Sequence, residues 1–272
     1  MSRSVLLSLL AATTVLASPA IAQERVSGRY EILIGGLQVG IAGFEGRVSG
    51  ESYQASVSLR LSGVSRLVAS GRGSATASGR IAGARAVPAN YQLTLNTSQQ
   101  NDAIRMAMAG GSVRSHSAEP ERPAAGDEVP LTSAHRQGVL DPLSAGFFFV
   151  GGSGATVSAE ACAKTFPVFD GRQRYDLSFS FARTETVKTA GYDGPAVVCN
   201  ARYRAIAGHR PSVTAPMEAN RDMQIWLVPV AGTRALVPAR ISIRTPIGLA
   251  QIEPTRLELG APATTASIRS GD

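Results

Sequence analysis

Apolar and polar positions alternate one by one through much of this chain. Tyr53, Ala55, Val57, Leu59 and Leu61 are interleaved with Gln54, Ser56, Ser58 and Arg60, the period-two signature of a strand with one buried and one wet face. The pattern returns in Tyr91, Leu93 and Leu95, in Ile104, Met106 and Met108 around Arg105, and in Tyr175, Leu177, Phe179 and Phe181 around Asp176, Ser178 and Ser180. Residues 30–34, 197–205, 223–230, 239–244 and 255–259 add further strand-like segments. Turn-forming clusters such as Tyr192-Asp193-Gly194-Pro195 and Asp170-Gly171 separate them, as hairpin-rich antiparallel sheets require. Gly35, Gly36, Gly40, Gly43 and Gly46 crowd the region after the first strand; with no strand-loop-helix unit around them, they predict a bulge or tight hairpin rather than a phosphate loop. The fold class predicted is mainly β, a curved antiparallel sheet or an open β-barrel.

One segment breaks the alternation. Residues 141–150 offer Asp141 as a cap, Pro142 at the first helical position, Leu143, Ser144 and Ala145, and the apolar run Phe147-Phe148-Phe149-Val150 before Gly151-Gly152. This predicts one short buried helix that plugs or flanks the sheet. Residues 110–138 are polar, aperiodic and hold three prolines, which predicts a long polar loop. Residues 260–272 are small and polar and predict a disordered tail.

At the other end, Arg3, the apolar residues 5–16 and Ala20-Ile21-Ala22 form the three parts of a signal peptide, residues 1–22, cleaved after Ala22. What remains, residues 23–259 before the tail, is long enough for a single β-rich domain. No cysteine follows the apolar stretch to carry a lipid, and no later stretch approaches the roughly 18 apolar residues of a membrane span. The expectation is a periplasmic protein without a transmembrane anchor.

Export changes what the charge means. The formal net charge is +7, its positive side almost entirely arginine; solubility of wet strand faces accounts for it most simply, and outside the cytoplasm, where the abundant anions are lipid head groups and wall polymers, an anionic envelope surface is a better candidate partner than nucleic acid. It also changes the cysteines. Cys162 and Cys199 are the only two, and an even pair in an oxidising compartment most often forms a disulfide. Closing that loop would stabilise by roughly 4 kcal/mol on the chain-entropy model; two buried free thiols are the alternative.

Catalytic residues are not evident. His135, Asp141 and Ser144 lie within ten residues of one another, but no G-x-S-x-G elbow accompanies them, and Asp141 is explained as a cap. His116, His135 and His209 lack ligand spacing, so no metal is assigned, and no cofactor. Two kinds of binding residue do stand out. Arg172 with Arg174, and Arg202 with Arg204, are i, i+2 pairs able to fork an anion, although Asp170-Gly171 also reads as a plain β-turn. Leu59, Leu61, Met106, Met108, Phe179, Phe181 and Trp226, with Phe147 and Phe148 as a lid, are candidates for a concave apolar face. A packed core explains the same residues.

Tyr30-Glu31-Ile32 with its following glycines, the Asp141-Pro142-Leu143-Ser144-Ala145 start, the Phe169-Asp170-Gly171-Arg172-Gln173-Arg174-Tyr175 stretch and Val237-Pro238-Ala239-Arg240 together resemble the bacterial envelope family known as domain of unknown function 3108. The resemblance runs from about Arg29 to Leu259, with Phe147 and Phe148 where that family more often has a tyrosine-rich run. It implies a periplasmic protein with a strongly curved antiparallel sheet, similar in shape to bacterial lipoprotein carriers, and it brings no catalytic residue. The function expected is therefore non-enzymatic: an exported cell-envelope protein that binds a lipid-like or lipoprotein component. A periplasmic protein-interaction scaffold is the alternative, and a cell-wall or lipid hydrolase the third reading.

Overall fold

The structure is a computed structural model and describes residues 24–64, 70–98, 100–123 and 126–260. The segment expected to be a signal peptide, residues 1–22, and nearly all of the expected tail, residues 260–272, lie outside the described residues. A single antiparallel sheet of 14 strands dominates the chain. Its first half is a meander of seven: β1 (Glu24–Ile34), β2 (Leu37–Ser49), β3 (Ser52–Leu61), β4 (Gly71–Ala82), β5 (Arg85–Thr97), β6 (Asn101–Ala109) and β7 (Ser112–Glu119). After the two-residue β8 (Phe148–Phe149) and the one-turn helix α1 (Ala159–Cys162), the chain meanders back. That return consists of β9 (Thr165–Phe169), β10 (Arg174–Thr189), β11 (Tyr192–Ala207), helix α2 (Pro211–Ala219), β12 (Met223–Pro229), β13 (Ala235–Thr245) and β14 (Gly248–Leu259). β14 pairs with β1, which joins the two meanders and leaves β7 and β9 as the outer strands.

Those two edges curl towards each other. The strap between them pairs with both: Val139 N–H donates to Gly111 O at 2.8 Å, Leu140 N–H to Pro167 O at 2.8 Å, and Phe169 N–H back to Leu140 O at 2.8 Å. Side chains finish the seam, where Ile104, Met106, Met108, Tyr91, Val139 and Phe169 form one buried cluster. Gly171, at φ +100°, sits so close to Ile104 that a Cβ there would lie 2.4 Å from Cγ2, so glycine is required both for the turn and for the closure.

The alternating segments became strands because each buries one face. Val26, Gly46, Ala55, Ala77, Tyr91 and Met106 form one continuous rung across β1 to β6. The glycines after β1 make a two-residue hairpin turn with Gly35 at φ 58° and Gly36 at φ 82°, the doubly positive geometry that suits the right-handed twist of the flanking strands.

Two expectations need correction. Residues 141–150 are not a helix: Ser144–Gly146 is a single 3-10 turn, and the next residues extend into β8, where Phe148 pairs with Leu236 and Phe149 with Ala235. The reason is two-sided packing. Phe147 and Phe149 stack on one side, while Phe148 points to the other, against Phe166 and Phe179, and only an extended backbone turns successive side chains to opposite faces. Nor is 110–138 a loop throughout, since residues 112–119 are β7, held in register by β6. Its burial pattern is irregular because it is an edge strand.

Candidate functional site

Inside the curl, residues 141–150 act as a plug anchored by a buried polar clasp. Asp141 Oδ1 accepts from Leu143 N–H at 3.0 Å and Ser144 N–H at 2.8 Å; the Ser144 hydroxyl donates to Asp141 Oδ2, and Tyr53 Oη lies 2.7 Å from Ser144 Oγ. All three side chains are almost fully buried. Burial lifts the Asp141 carboxyl above its ordinary value, against the opposing hydrogen bonds from Ser144 and Leu143, and burial likewise pushes the Tyr53 phenol up. The clasp is saturated and closed to solvent, so its chemistry is positional. It fixes Leu143 and Phe147.

Those two residues form the floor of an apolar pocket of about 210 Å³. Its walls are Tyr30 of β1, Ala42 and Phe44 of β2, Val57 of β3, Ala239 and Ile241 of β13, and Ile252 of β14. Tyr30, the only hydroxyl in the lining, is already committed to Pro238 O at 3.0 Å, and its ring lies over Gly28, where a Cβ would come within 2.6 Å. Arg240 stands at the margin. Its Nε donates to Glu253 at 2.6 Å and its guanidinium stacks over Trp226 at 5.2 Å, so its charge is largely spent before any ligand arrives. Apart from Arg240 at the margin, no side chain of the lining offers a polar group that is not already hydrogen-bonded, so the site suits apolar matter.

The apolar candidates read from the sequence do not form one face. Phe147 is in the pocket floor. Leu59 and Leu61 pair with Ala42 and Gly40 on the pocket side of β3, half-buried beyond its edge. Met106 and Met108 are buried in the seam. Phe148 and Phe179 belong to a second core on the far side of β11–β13, together with the disulfide. Trp226 lies in the main core, donating through Nε1 to Glu185, and Phe181 is 45% exposed. Alternation along a strand shows which residues share its face; it does not show which faces meet, because that depends on how the sheet curls.

The arginine forks are also not assembled. Arg172 lies in the turn before β10, where its Nη2 donates to Asp102 at 3.2 Å and to Pro120 O at 2.8 Å. Arg174 and Arg204 both pair with Asp176, and Arg202 donates to the carbonyls of Ala201 and Arg221. Three of the four are thus neutralised by aspartate. The turn itself is as the sequence suggests, with Asp170 Oδ1 accepting from Arg172 and Gln173 N–H.

Cys162 and Cys199 form a disulfide with Cα atoms 5.5 Å apart, tying α1 to β11. His135 sits on a surface 3-10 turn and accepts from Thr132 N–H at 3.1 Å, while Ser144 is sealed in the clasp, so they do not form a nucleophile and base. Among the described residues no group of His, Cys, Asp and Glu is placed to hold a metal, and no helix is long and apolar enough to cross a membrane.

The pocket residues that sequence reasoning passed over are Tyr30, Ala42, Phe44, Ile241 and Ile252. A signal was present for one of them, Ile241: Ala239, Ile241 and Ile243 alternate strictly with Arg240, Ser242 and Arg244.

The family model for a protein of unknown function, DUF3108, matches residues 29–254. None of the curated proteins matches the chain. Among solved structures, the crystal structure of a β-barrel-like protein of domain of unknown function DUF1849 from Brucella abortus is similar, with a TM-score of 0.50 at 10% identity over 87% of this chain and 98% of that one. At that identity the likeness is one of fold alone.

Proposed function

The chain belongs to the DUF3108 family, and from that premise we propose that it is an exported, non-enzymatic envelope protein whose pocket shelters one acyl chain or a similarly slender apolar group of a lipid or lipoprotein. The observation that carries this reading is the pocket itself, apolar but for Tyr30 and the marginal Arg240, with its one hydroxyl already satisfied. Its volume decides the class of occupant. At about 210 Å³ it is below the roughly 300–1,000 Å³ of sites that enclose a whole drug-sized ligand, so a single chain fits and a complete lipid does not. Export is supported by the signal-peptide pattern of residues 1–22 and by the disulfide, which suits an oxidising compartment.

Each methylene taken from water into the pocket contributes about 0.8 kcal/mol. A fluorescent fatty acid titrated into the purified protein is therefore expected to bind at micromolar concentration, and Ile252→Glu, which places a charge in the lining, to abolish binding without unfolding the protein. Absence of probe binding by the wild type, together with no lipid in an organic extract of the purified protein, overturns the reading. One observation favours the scaffold alternative: among the described residues β7 has a strand partner only on its β6 side, leaving an edge that another chain could extend.

A further inference from the structure

The end of the curl that holds the β1–β2 and β13–β14 turns carries exposed apolar tips. Leu37 is 58% exposed, Ile247 76% and Val64 44%. They are neighbours in space although far apart in sequence. Gly35 N–H donates to Leu249 O at 3.0 Å, which joins the two hairpin turns. Ser62 N–H donates to Val39 O at 3.1 Å, and Gln38 Nε2 to Ser62 Oγ at 3.1 Å, which ties the segment leading into Val64 to the residues that follow Leu37. Three large apolar side chains on adjacent turns at one end of a sheet are not explained by core packing, since among the described residues all three stay exposed.

A track of apolar side chains leads from these tips to the pocket. Between them, on the pocket side of the sheet, stand Ile32, Ile34, Leu61, Ile243, Ala250 and Ile252, matched to one another by strand register and all half-buried. On the opposite face of the same end, Arg60 of β3 is directly across from Arg72 of β4, both exposed. Like charges in that position repel, and neither arginine has an ion pair or hydrogen-bond partner among the described residues. Glu31 shares their rung but is separated from Arg60 by Ile41. Arg60 is four residues from Val64, hence within about 14 Å along even a fully extended chain. A span of that size lets both guanidiniums reach the head groups when the tips enter the acyl boundary by roughly 5–10 Å.

We propose that this end of the molecule docks on an anionic lipid bilayer, with Leu37, Val64 and Ile247 inserted and Arg60 and Arg72 on the head groups, so that an acyl chain passes along the apolar track into the pocket. The inference rests on the pocket reading for its last step only. Docking stands on the tips and the arginine pair.

The test is flotation of the processed protein (residues 23–272) with vesicles, since residues 1–22 would partition by themselves. Binding is expected to vesicles of phosphatidylglycerol and phosphatidylcholine, and to be far weaker to phosphatidylcholine alone. Each arginine near an anionic leaflet is worth about fivefold in partitioning, so Arg60→Gln with Arg72→Gln is expected to lower binding about 25-fold at low salt and remove most of its salt dependence. Leu37→Glu with Ile247→Glu is expected to abolish flotation. Both double variants lie outside the pocket lining and should keep the wild-type melting temperature and uptake of a soluble fatty-acid probe. The proposal is overturned if wild-type protein does not float, if either double variant floats like wild type, or if the tips instead support a dimer in sedimentation that Leu37→Glu disperses. Probe uptake without flotation removes docking and leaves the pocket; flotation without probe uptake does the reverse.

Discussion

The two halves of the sheet are built to different rules. In the β1–β6 wall only one face is buried: Val26, Ala55, Ala77 and Tyr91 point inward, while of their neighbours Thr76 and Gln92 are exposed and Ser27 and Ser56 half-buried. In β11–β13 both faces are buried. Ala196, Val198, Trp226, Val228, Ala235 and Val237 join the main core, while the intervening Val197, Cys199, Ile225, Leu227 and Leu236 form a second core with Phe148, Ala161 and Cys162. The second wall is a filled three-layer structure stapled by a disulfide. The first is a single layer whose inner surface, from Phe44 and Val57 to Leu59 and Leu61, is only half-covered. The pocket and the apolar track lie against this half-covered wall, with Ala239, Ile241 and Ile243 of β13 on their other side, so the two walls differ in packing but share the pocket.

The largest test of that contrast is a pair of truncations. Phe148 is fully buried, with its ring 5.0 Å from Phe166 and 4.9 Å from Phe179, so Phe148→Ala is expected to cost about 3–5 kcal/mol in urea unfolding. Leu61→Ala, on the half-covered wall, should cost only about 1 kcal/mol because much of its area is already in water. Equal costs would erase the distinction.

Next is the staple. Replacing Cys162 and Cys199 by serine is expected to lower stability by about 2–4 kcal/mol, while leaving fatty-acid uptake by the refolded protein intact, since neither sulfur lines the pocket. Lost uptake at a temperature where the variant remains folded would mean that the second core, and not only the inner face of β13, shapes the pocket.

The smallest effect is on pH dependence, and it has opposite signs for two buried carboxyls. Burial works against the charge of Asp176, but the hydrogen bonds and charges of Arg204 and Arg174 outweigh it and hold its carboxyl below the ordinary value. Its folded value is then below its unfolded one; its contribution is complete above the unfolded value and is lost as pH falls through the folded value. Asp141, in the plug, is raised by burial. Its contribution is complete below the unfolded value and is lost as pH rises through the folded value. Unfolding midpoints measured across pH should show Asp176→Asn flattening the acid limb and Asp141→Asn flattening the decline on the other side; a shared direction of change would contradict this assignment.

The one-sided wall was legible because a residue on a strand with one wet face must alternate, and Tyr53 to Leu61 does so without a break. The two-sided wall was less so. Runs such as Val197-Val198-Cys199 and Ile225-Trp226-Leu227-Val228 carry the continuous apolar signature of strands covered on both faces, yet a run of that kind does not say what lies on each side. Phe147-Phe148-Phe149 misled for a related reason. A cap, a proline and an apolar run satisfy the local rules for a helix, and the choice of an extended segment was made by two separate cores that each needed a ring.

Local periodicity and turn chemistry by themselves determined that this protein is a β-sheet of hairpins, which residues of each strand share a face, where Asp170-Gly171 turns and which two cysteines could pair. Only the tertiary structure decided that β14 closes on β1, that four arginines expected to receive an anion are mostly met by the protein's own aspartates, and that Tyr30, Phe44, Ile241 and Ile252 converge on one pocket. The reason is range: alternation records contacts between a residue and one side of its own strand, whereas a pocket is made where faces of distant strands approach, and that distance depends on the cumulative twist and curl of the whole sheet.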